Sequence, residues 1–272
     1  MSAPEGGSPL ATPAAWDLVS AAYTAEVAPV LEQYARRALE LAAPPEAADV
    51  VDVACGPGTL ALLAAATANR VAAIDFSPEM IERLRRHMGY GVHGNIDACV
   101  GDGQALPYAD DEFDAGFSMF GVIFFPDRAR GLRELRRVVK PGGKVVVSSW
   151  LPPDRAPALF QILAALAHDL PAPPRGPGPA MADDVTIREE VRAAGFAAVE
   201  VHQVTFAVDY PSTAELWAAA ERSSAPIVLQ RTRLGPAAWA PISARVCARL
   251  EAVMGTGPQS MAMPAWLTVA TV

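Results

Sequence analysis

The chain has 272 residues, 51% of them hydrophobic, and a formal net charge of −8. That length and apolar content allow one large domain with a sizeable core, and the acidic balance argues against non-specific nucleic-acid binding, which needs a basic field. The three cysteines, Cys55, Cys99 and Cys247, are odd in number and far apart, so no disulfide framework and no metal site is expected, and a reducing cytoplasm is the simplest setting.

Residues 1–13 lack a basic and an apolar signal region and predict a disordered tail. Trp16, Val19, Tyr23, Val27, Val30 and Tyr34 recur at helical spacing, so 14–43 predicts one or two helices ended by Pro44-Pro45. Strands follow at about 48–54 and 70–75. Ser77 and Pro78 fit the N-cap and first position of a helix reaching about His87. Strands at 96–101 and 113–118 precede a helix at 127–139. Lys140-Pro141-Gly142-Gly143 turns the chain into a strand at 144–150. The stretch 151–182 is proline-rich at both ends around an apolar helix, Ala158 to Ala167. A helix from Asp184 to Ala194 ends at Gly195. A strand at 197–206, helices over 212–254 and a strand at 265–272 complete the chain. No apolar run reaches the length of a membrane span.

The most informative stretch is VVDVACGPGTLA, Val50 to Ala61. It predicts a buried strand, a glycine turn and a helix N-terminus, which together make a nucleotide-cofactor cradle at the carboxyl end of a parallel strand. Gly56-x-Gly58-x-x-Ala61 fits the dinucleotide fingerprint, a weak signal alone. Asp75 ends the second strand about 20 residues on, where an acid can hold ribose hydroxyls. NAD enzymes and S-adenosylmethionine enzymes both want that acid. Asp102 ends the third strand, and a dehydrogenase has no general need for it, whereas an adenosylmethionine site uses such an acid at the adenine amino group. Asp52 is placed to buttress the glycine turn.

The motifs DVACGPG (52–58), IDFSPEMI (74–81), GDGQALPYADDEFD (101–114) and LRRVVKPGGKVVVSSW (135–150) occur in one order. On these the chain resembles the class I S-adenosylmethionine-dependent methyltransferases, in particular the branch of the ubiquinone/menaquinone C-methyltransferases. The likeness covers roughly residues 15 to 205, with Ala54 where the family often has glycine. It implies an α/β, Rossmann-like fold with seven mostly parallel strands, an antiparallel last strand and helices on both faces. A single domain over 14–272 is expected, with helical caps inserted at about 151–182 and 210–258.

The resemblance implies S-adenosylmethionine as cofactor, adenosylhomocysteine as product and no metal. The turn from Ala54 through Cys55, Gly56 and Gly58 would meet the amino-acid tail by its backbone. Asp75 would accept from both ribose hydroxyls, and Phe76 would lie against the adenine. Asp102, Gly103 and Gln104 would frame the adenine edge. Phe117 and Ser118 would meet the methionine part, and Tyr23 would lie over the cofactor. FSMFGVIFF lacks the Asn/Asp-Pro-Pro-aromatic motif of adenine and glutamine N-methyltransferases, and fits instead a small apolar or aromatic acceptor. His168 and His202 are the candidate general bases; no catalytic residue is assigned. The partner is a small molecule, the assembly a monomer or homodimer, and the caps supply the acceptor pocket or a dimer interface. The alternatives are an NAD(P)-linked oxidoreductase and a non-catalytic nucleotide-binding protein on the same fold.

Overall fold

The computed structural model describes residues 8–89, 93–170 and 181–272. Seven strands form one sheet: β1 (Asp49–Val53), β2 (Arg70–Asp75), β3 (Ile96–Val100), β4 (Phe113–Ser118), β5 (Val139–Trp150), β6 (Ala198–Tyr210) and β7 (Gln259–Thr271). Their order is β3-β2-β1-β4-β5-β7-β6. The first five pair in parallel, and β7 runs antiparallel between β5 and β6. The order reverses between β1 and β4, and in such sheets a ligand crevice opens at the carboxyl ends beside that switch point.

The central strands are apolar on both faces because helices cover both. On β1, Val51 and Val53 face one core while Val50 faces the other. The first core is closed by Leu132, Leu135 and Val138 of α5 (Arg128–Val138) and by Ile187 and Val191 of α7 (Asp184–Ala193). The second is closed by α2 (Ala28–Ala42), α3 (Thr59–Ala64) and α4 (Pro78–Met88). Ala35, Ala38 and Ala42 put one face of small side chains on α2, so that helix can lie close to the sheet. Asp52 and Asp75 share this second face by strand alternation, which places two acids beneath α3.

Residues 8–13 differ from the predicted disordered tail. They form a 3-10 turn at Pro9–Ala11 and the start of α1 (Pro13–Ala22), pinned where the Trp16 indole N–H donates to the Leu10 carbonyl at 2.9 Å. Residues 1–7 lie outside the described residues. The expected helical stretch 14–43 is α1 and α2 joined by a π-helical turn, Tyr23–Val27. The Lys140-Pro141-Gly142-Gly143 turn is an excursion within β5: Val139 pairs with Phe113, and pairing resumes at Lys144 opposite Ala115.

Both late strands are longer than expected, because β6 and β7 continue as a two-stranded ribbon to the Tyr210–Gln259 pair. Pro264 hid this extension, since proline disfavours a central strand. It sits one residue beyond Ala265, the last β7 residue paired with β5, so it costs β7 no bond on the β5 side there. Past the ribbon lie α8 (Thr213–Ser223), α9 (Ala225–Leu234) and α10 (Pro236–Met254). They pack with α6 (Pro157–Ala167) into a separate core built on Ile162, Leu216, Trp217, Trp239 and Leu250. The expected proline-rich stretch 171–180 lies outside the described residues. No helix among the described residues is long and apolar enough to cross a membrane.

Candidate functional site

The loop from β1 to α3 turns through three left-handed residues, Ala54 (φ +56°), Gly56 (φ +55°) and Gly58 (φ +89°). Gly58 has a second requirement: a Cβ there would lie 2.2 Å from Leu84 Cδ1, so glycine lets α3 start against α4. Gly56 meets nothing within 4 Å and borders open space. Ala54 shows why glycine suits its position, since its φ strains any side chain. Its methyl is accommodated because the facing residue is Gly121, whose Cβ would come within 2.3 Å of it.

Two carboxylates hold this loop. Asp75 accepts from the Gly56 N–H through Oδ2 and from the Ser77 N–H through Oδ1, both at 2.8 Å. Asp52 Oδ2 accepts from the Ala61 N–H at 3.1 Å and so caps the first turn of α3, as expected of a buttress. Burial pushes the Asp75 carboxyl up to about 6, against the pull of the Ser77 and Gly56 N–H groups. Burial pushes Asp52 up to about 7, opposed by the Ala61 N–H and reinforced by the charge of Asp75. Asp52 Oδ1 is buried with no hydrogen-bond partner among the described residues. Such an atom is costly unless something meets it.

A narrow cleft of about 360 Å³, its mouth included, opens against these groups. The glycine loop and Asp52 form one side, Leu31 and Ala35 of α2 another, and Tyr23 and Met119 close it. Among the described residues its lining holds one acid and no basic side chain. Tyr23 is carried by the π-helical turn, a device frequent at functional sites. Burial, and then the nearby Asp75 charge, push its phenol well above the usual range. Asp17 of α1 accepts from the Ser77 hydroxyl at 2.5 Å, which ties the covering helix to the N-terminus of α4.

The structure gathers Tyr23, Asp52, Ala54, Cys55 and Gly56 at the cleft, with Gly58 in the same loop and Asp75 bonded to the Gly56 N–H. Phe76 is half-buried just past β2. Asp102 is exposed beyond β3, and its Oδ1 accepts from the Gln104 N–H at 2.8 Å and from Nε2 at 3.1 Å. Gln104 Oε1 accepts from the Asp127 N–H at 2.8 Å, so that amide fixes the turn on both sides. Gly103 is packed where a Cβ would strike Phe125 and Val53.

Four expected residues stand elsewhere. Phe117 is wholly buried in the core, and Ser118, also buried, has its Oγ committed to the Val122 N–H at 3.2 Å. Met119, two residues on from Phe117, lines the cleft in their place. Period-two alternation from Phe117 was the signal for it. His168 is exposed at the end of α6, in the helical cap. His202 lies on β6, three strands from β4, or roughly 14 Å at ordinary strand spacing. Neither histidine reaches the cleft. Asp17 had no sequence signal, because its partner Ser77 is 60 residues away. Among the described residues, no group of three or more His, Cys, Asp or Glu gathers to hold a metal ion.

Comparison with known proteins agrees with this geometry. A methyltransferase-domain family model matches residues 50–143. The chain is 42% identical over 102 residues to an uncharacterised Mycobacterium tuberculosis protein, covering 37% of this chain and 36% of that one. It is 31% identical over 177 residues to the demethylmenaquinone methyltransferase of Clavibacter sepedonicus, covering 57% and 68%. The YcgJ protein of Bacillus subtilis superposes with a TM-score of 0.60 at 18% identity, over 87% of this chain and 98% of that one, which shows the shared fold. The chain belongs to the S-adenosylmethionine-dependent methyltransferases, on the branch of the ubiquinone/menaquinone C-methyltransferases. It spans about a third to a half of the length of the first curated relatives it matches.

Proposed function

We propose that this protein binds S-adenosylmethionine in the cleft and methylates a small apolar or aromatic acceptor. The observation that carries this is the charge of the cleft. Asp52 and Asp75 are buried beside the glycine loop, Asp52 has an unpartnered oxygen, and no basic side chain lines the cleft. A cation relieves that arrangement. A dinucleotide would bring an anionic pyrophosphate to the same helix N-terminus, next to Asp52, where it would be repelled.

When bound, the cofactor supplies a methyl group on a positively charged sulfur, released as the carbon–sulfur electron pair returns to sulfur. The chain's contribution is to hold and align. The glycine-loop backbone would meet the amino-acid tail. Asp75 retains lone pairs for ribose hydroxyls beyond the two N–H groups it accepts. The second Asp102 oxygen accepts from no group among the described residues and would meet the adenine edge. Tyr23 and Met119 confine the reacting end, and alignment of donor and acceptor supplies much of the rate. With neither histidine in reach, the acceptor's proton leaves to water. The helices α6 and α8–α10 act as a cap that supports the N-terminal helices covering the cleft. Calorimetric titration tests the reading: adenosylmethionine and adenosylhomocysteine should bind and NADH should not. Binding of NADH alone would replace it with the oxidoreductase alternative.

A further inference from the structure

The caps were expected to supply the acceptor pocket or a dimer interface, but their apolar residues are used on one another: Trp217 is 2% exposed inside the cap core. A surface open to a partner lies instead at the edge of the sheet. The two edge strands are β3 and β6. β3 is five residues long, and the Arg85 guanidinium donates to its Ala98 carbonyl at 2.8 Å. β6 is thirteen residues long, and its one neighbour in the sheet is β7.

The direction of the β6 backbone groups follows from alternation. The Leu151 N–H donates to the Pro264 carbonyl at 3.1 Å, so even-numbered β7 residues face β5 and odd-numbered ones face β6. In register with these, even-numbered β6 residues bond to β7. Odd-numbered ones, from Val199 to Asp209, turn their N–H and C=O groups away from the sheet. Arg188 of α7 agrees with that direction, since it donates to the Val199 carbonyl at 2.5 Å and guards that end. From Val201 to Asp209 no side chain or loop among the described residues bonds to the outward groups. Natural edge strands are commonly protected by a lysine, a proline or a bulge. Residues 201–209 carry none of these, and their register with β7 is unbroken.

We infer that this edge pairs with the same edge of a second copy of the chain, antiparallel about a two-fold axis through Thr205, joining the two sheets into one. Self-complementarity selects a second copy as the occupant. The open window 201–209 is centred on Thr205, so that register uses it in full, with about ten backbone bonds. Val204 of one copy would face Phe206 of the other, and His202 would face Val208. These side chains are half-buried in the single chain, and pairing extends their cover. The acids keep apart, because Asp209 falls opposite Val201 and Glu200 opposite Tyr210. Such a contact uses the same patch on both copies and closes at two.

Sedimentation velocity from about 1 to 100 μM tests this, since a dimer forms by mass action. The unmodified protein should sediment at twice the 28.6 kDa of the chain. Thr205→Lys and Thr205→Asp each set like charges opposite one another at the axis, and should weaken the dimer about two- to fivefold at low salt. Thr205 is exposed and its N–H points away from β7, so both variants should fold, as circular dichroism checks. Mixed together, they should form a heterodimer roughly tenfold tighter than either alone, which requires that Thr205 meet its own copy. Thr205→Pro deletes the N–H at the axis and should weaken pairing about tenfold or more, at an outward edge position where proline is tolerated. A monomer across the whole range, assembly beyond two copies, a dimer unchanged in the folded variants, or Lys and Asp variants that do not pair on mixing overturns the inference.

Discussion

Asp75 and Asp52 carry opposite demands, and single substitutions separate them. Asp75→Ala removes the charge-assisted acceptor we propose for the ribose hydroxyls and frees the Gly56 N–H. A loss of roughly 1.5–3 kcal/mol, or about ten- to a hundredfold in adenosylmethionine affinity, is expected by calorimetry. Unchanged affinity in a folded variant would remove Asp75 from the site. Burial holds both acids above the ordinary carboxylate range of the unfolded chain, Asp52 up to about 7 and Asp75 up to about 6. Their contribution to stability is therefore fully present below about pH 4 and is lost as pH rises through 6 to 7. In the empty protein at pH 8, Asp52→Asn should raise stability, by roughly 1–3 kcal/mol for relief of an unpaired buried charge, while weakening adenosylmethionine. A folded variant that loses stability at pH 8 would show that Asp52 ionises at no cost. Ligand affinity runs the other way with pH. Binding a cation favours ionised acids, so adenosylmethionine affinity should fall below about pH 7, by up to roughly tenfold per unit for each carboxylate. Adenosylhomocysteine lacks the sulfonium charge and should show a shallower slope. Parallel slopes for the two ligands would mean that the acids do not sense the sulfur.

Among the elements, the glycine loop shows how one residue's departure is absorbed by another. Ala54 occupies a left-handed position, and the space for its methyl exists because residue 121 is glycine. Gly121→Ala should therefore cost roughly 1–3 kcal/mol in chemical denaturation, as overpacking does. Ala54→Gly in that background should recover at least half of the loss. Strict additivity in this cycle would sink the coupling. The sequence made β1, the loop, α3 and the Ser77 cap legible because they rest on neighbours: valines, glycines, and a hydroxyl accepting from an N–H three residues on. Period-two alternation puts Phe117 and Met119 on one face, yet it does not say where β4 ends and the cleft begins, so Phe117 and Ser118 were expected where Met119 stands. The ring contacts among Tyr34, Phe120, Trp150 and Phe206 were illegible, since these residues lie on α2, the turn after β4, β5 and β6, and Phe120 takes a left-handed backbone angle. The ribbon end of β6 and β7 was hidden by methionines and Pro264, whose strand state depends on pairing across more than 50 residues.

At the scale of the whole molecule, the sheet with its two cores meets the helical core of α6 and α8–α10 at a seam. The cap core is joined to the sheet domain by the β6–β7 ribbon and by a docking cluster in which Ala225 and Val228 of α9 meet Val19 of α1 and Met80 of α4. Arg222 of α8 adds an ion pair to Glu26 on the π-helical turn at 2.6 Å. That pair is partly exposed and contributes little by itself. The seam supports α1 and the turn, which carry Tyr23 to the cleft and Asp17 to Ser77 at the start of α4. Val228 is 4% exposed, so Val228→Asp places a charge in the seam without touching the residues of either main core. Hydrogen exchange should then speed up in α1, the π-helical turn and α9, while the amides of β1, β2, β4 and β5 keep their protection. Adenosylmethionine affinity should fall about three- to tenfold as Tyr23 loses its support, with little change in the sheet's own denaturation midpoint. Uniform loss of protection across sheet and cap would show one cooperative unit, and the N-terminal helices would then be part of the sheet domain's core rather than a cover held in place by the cap.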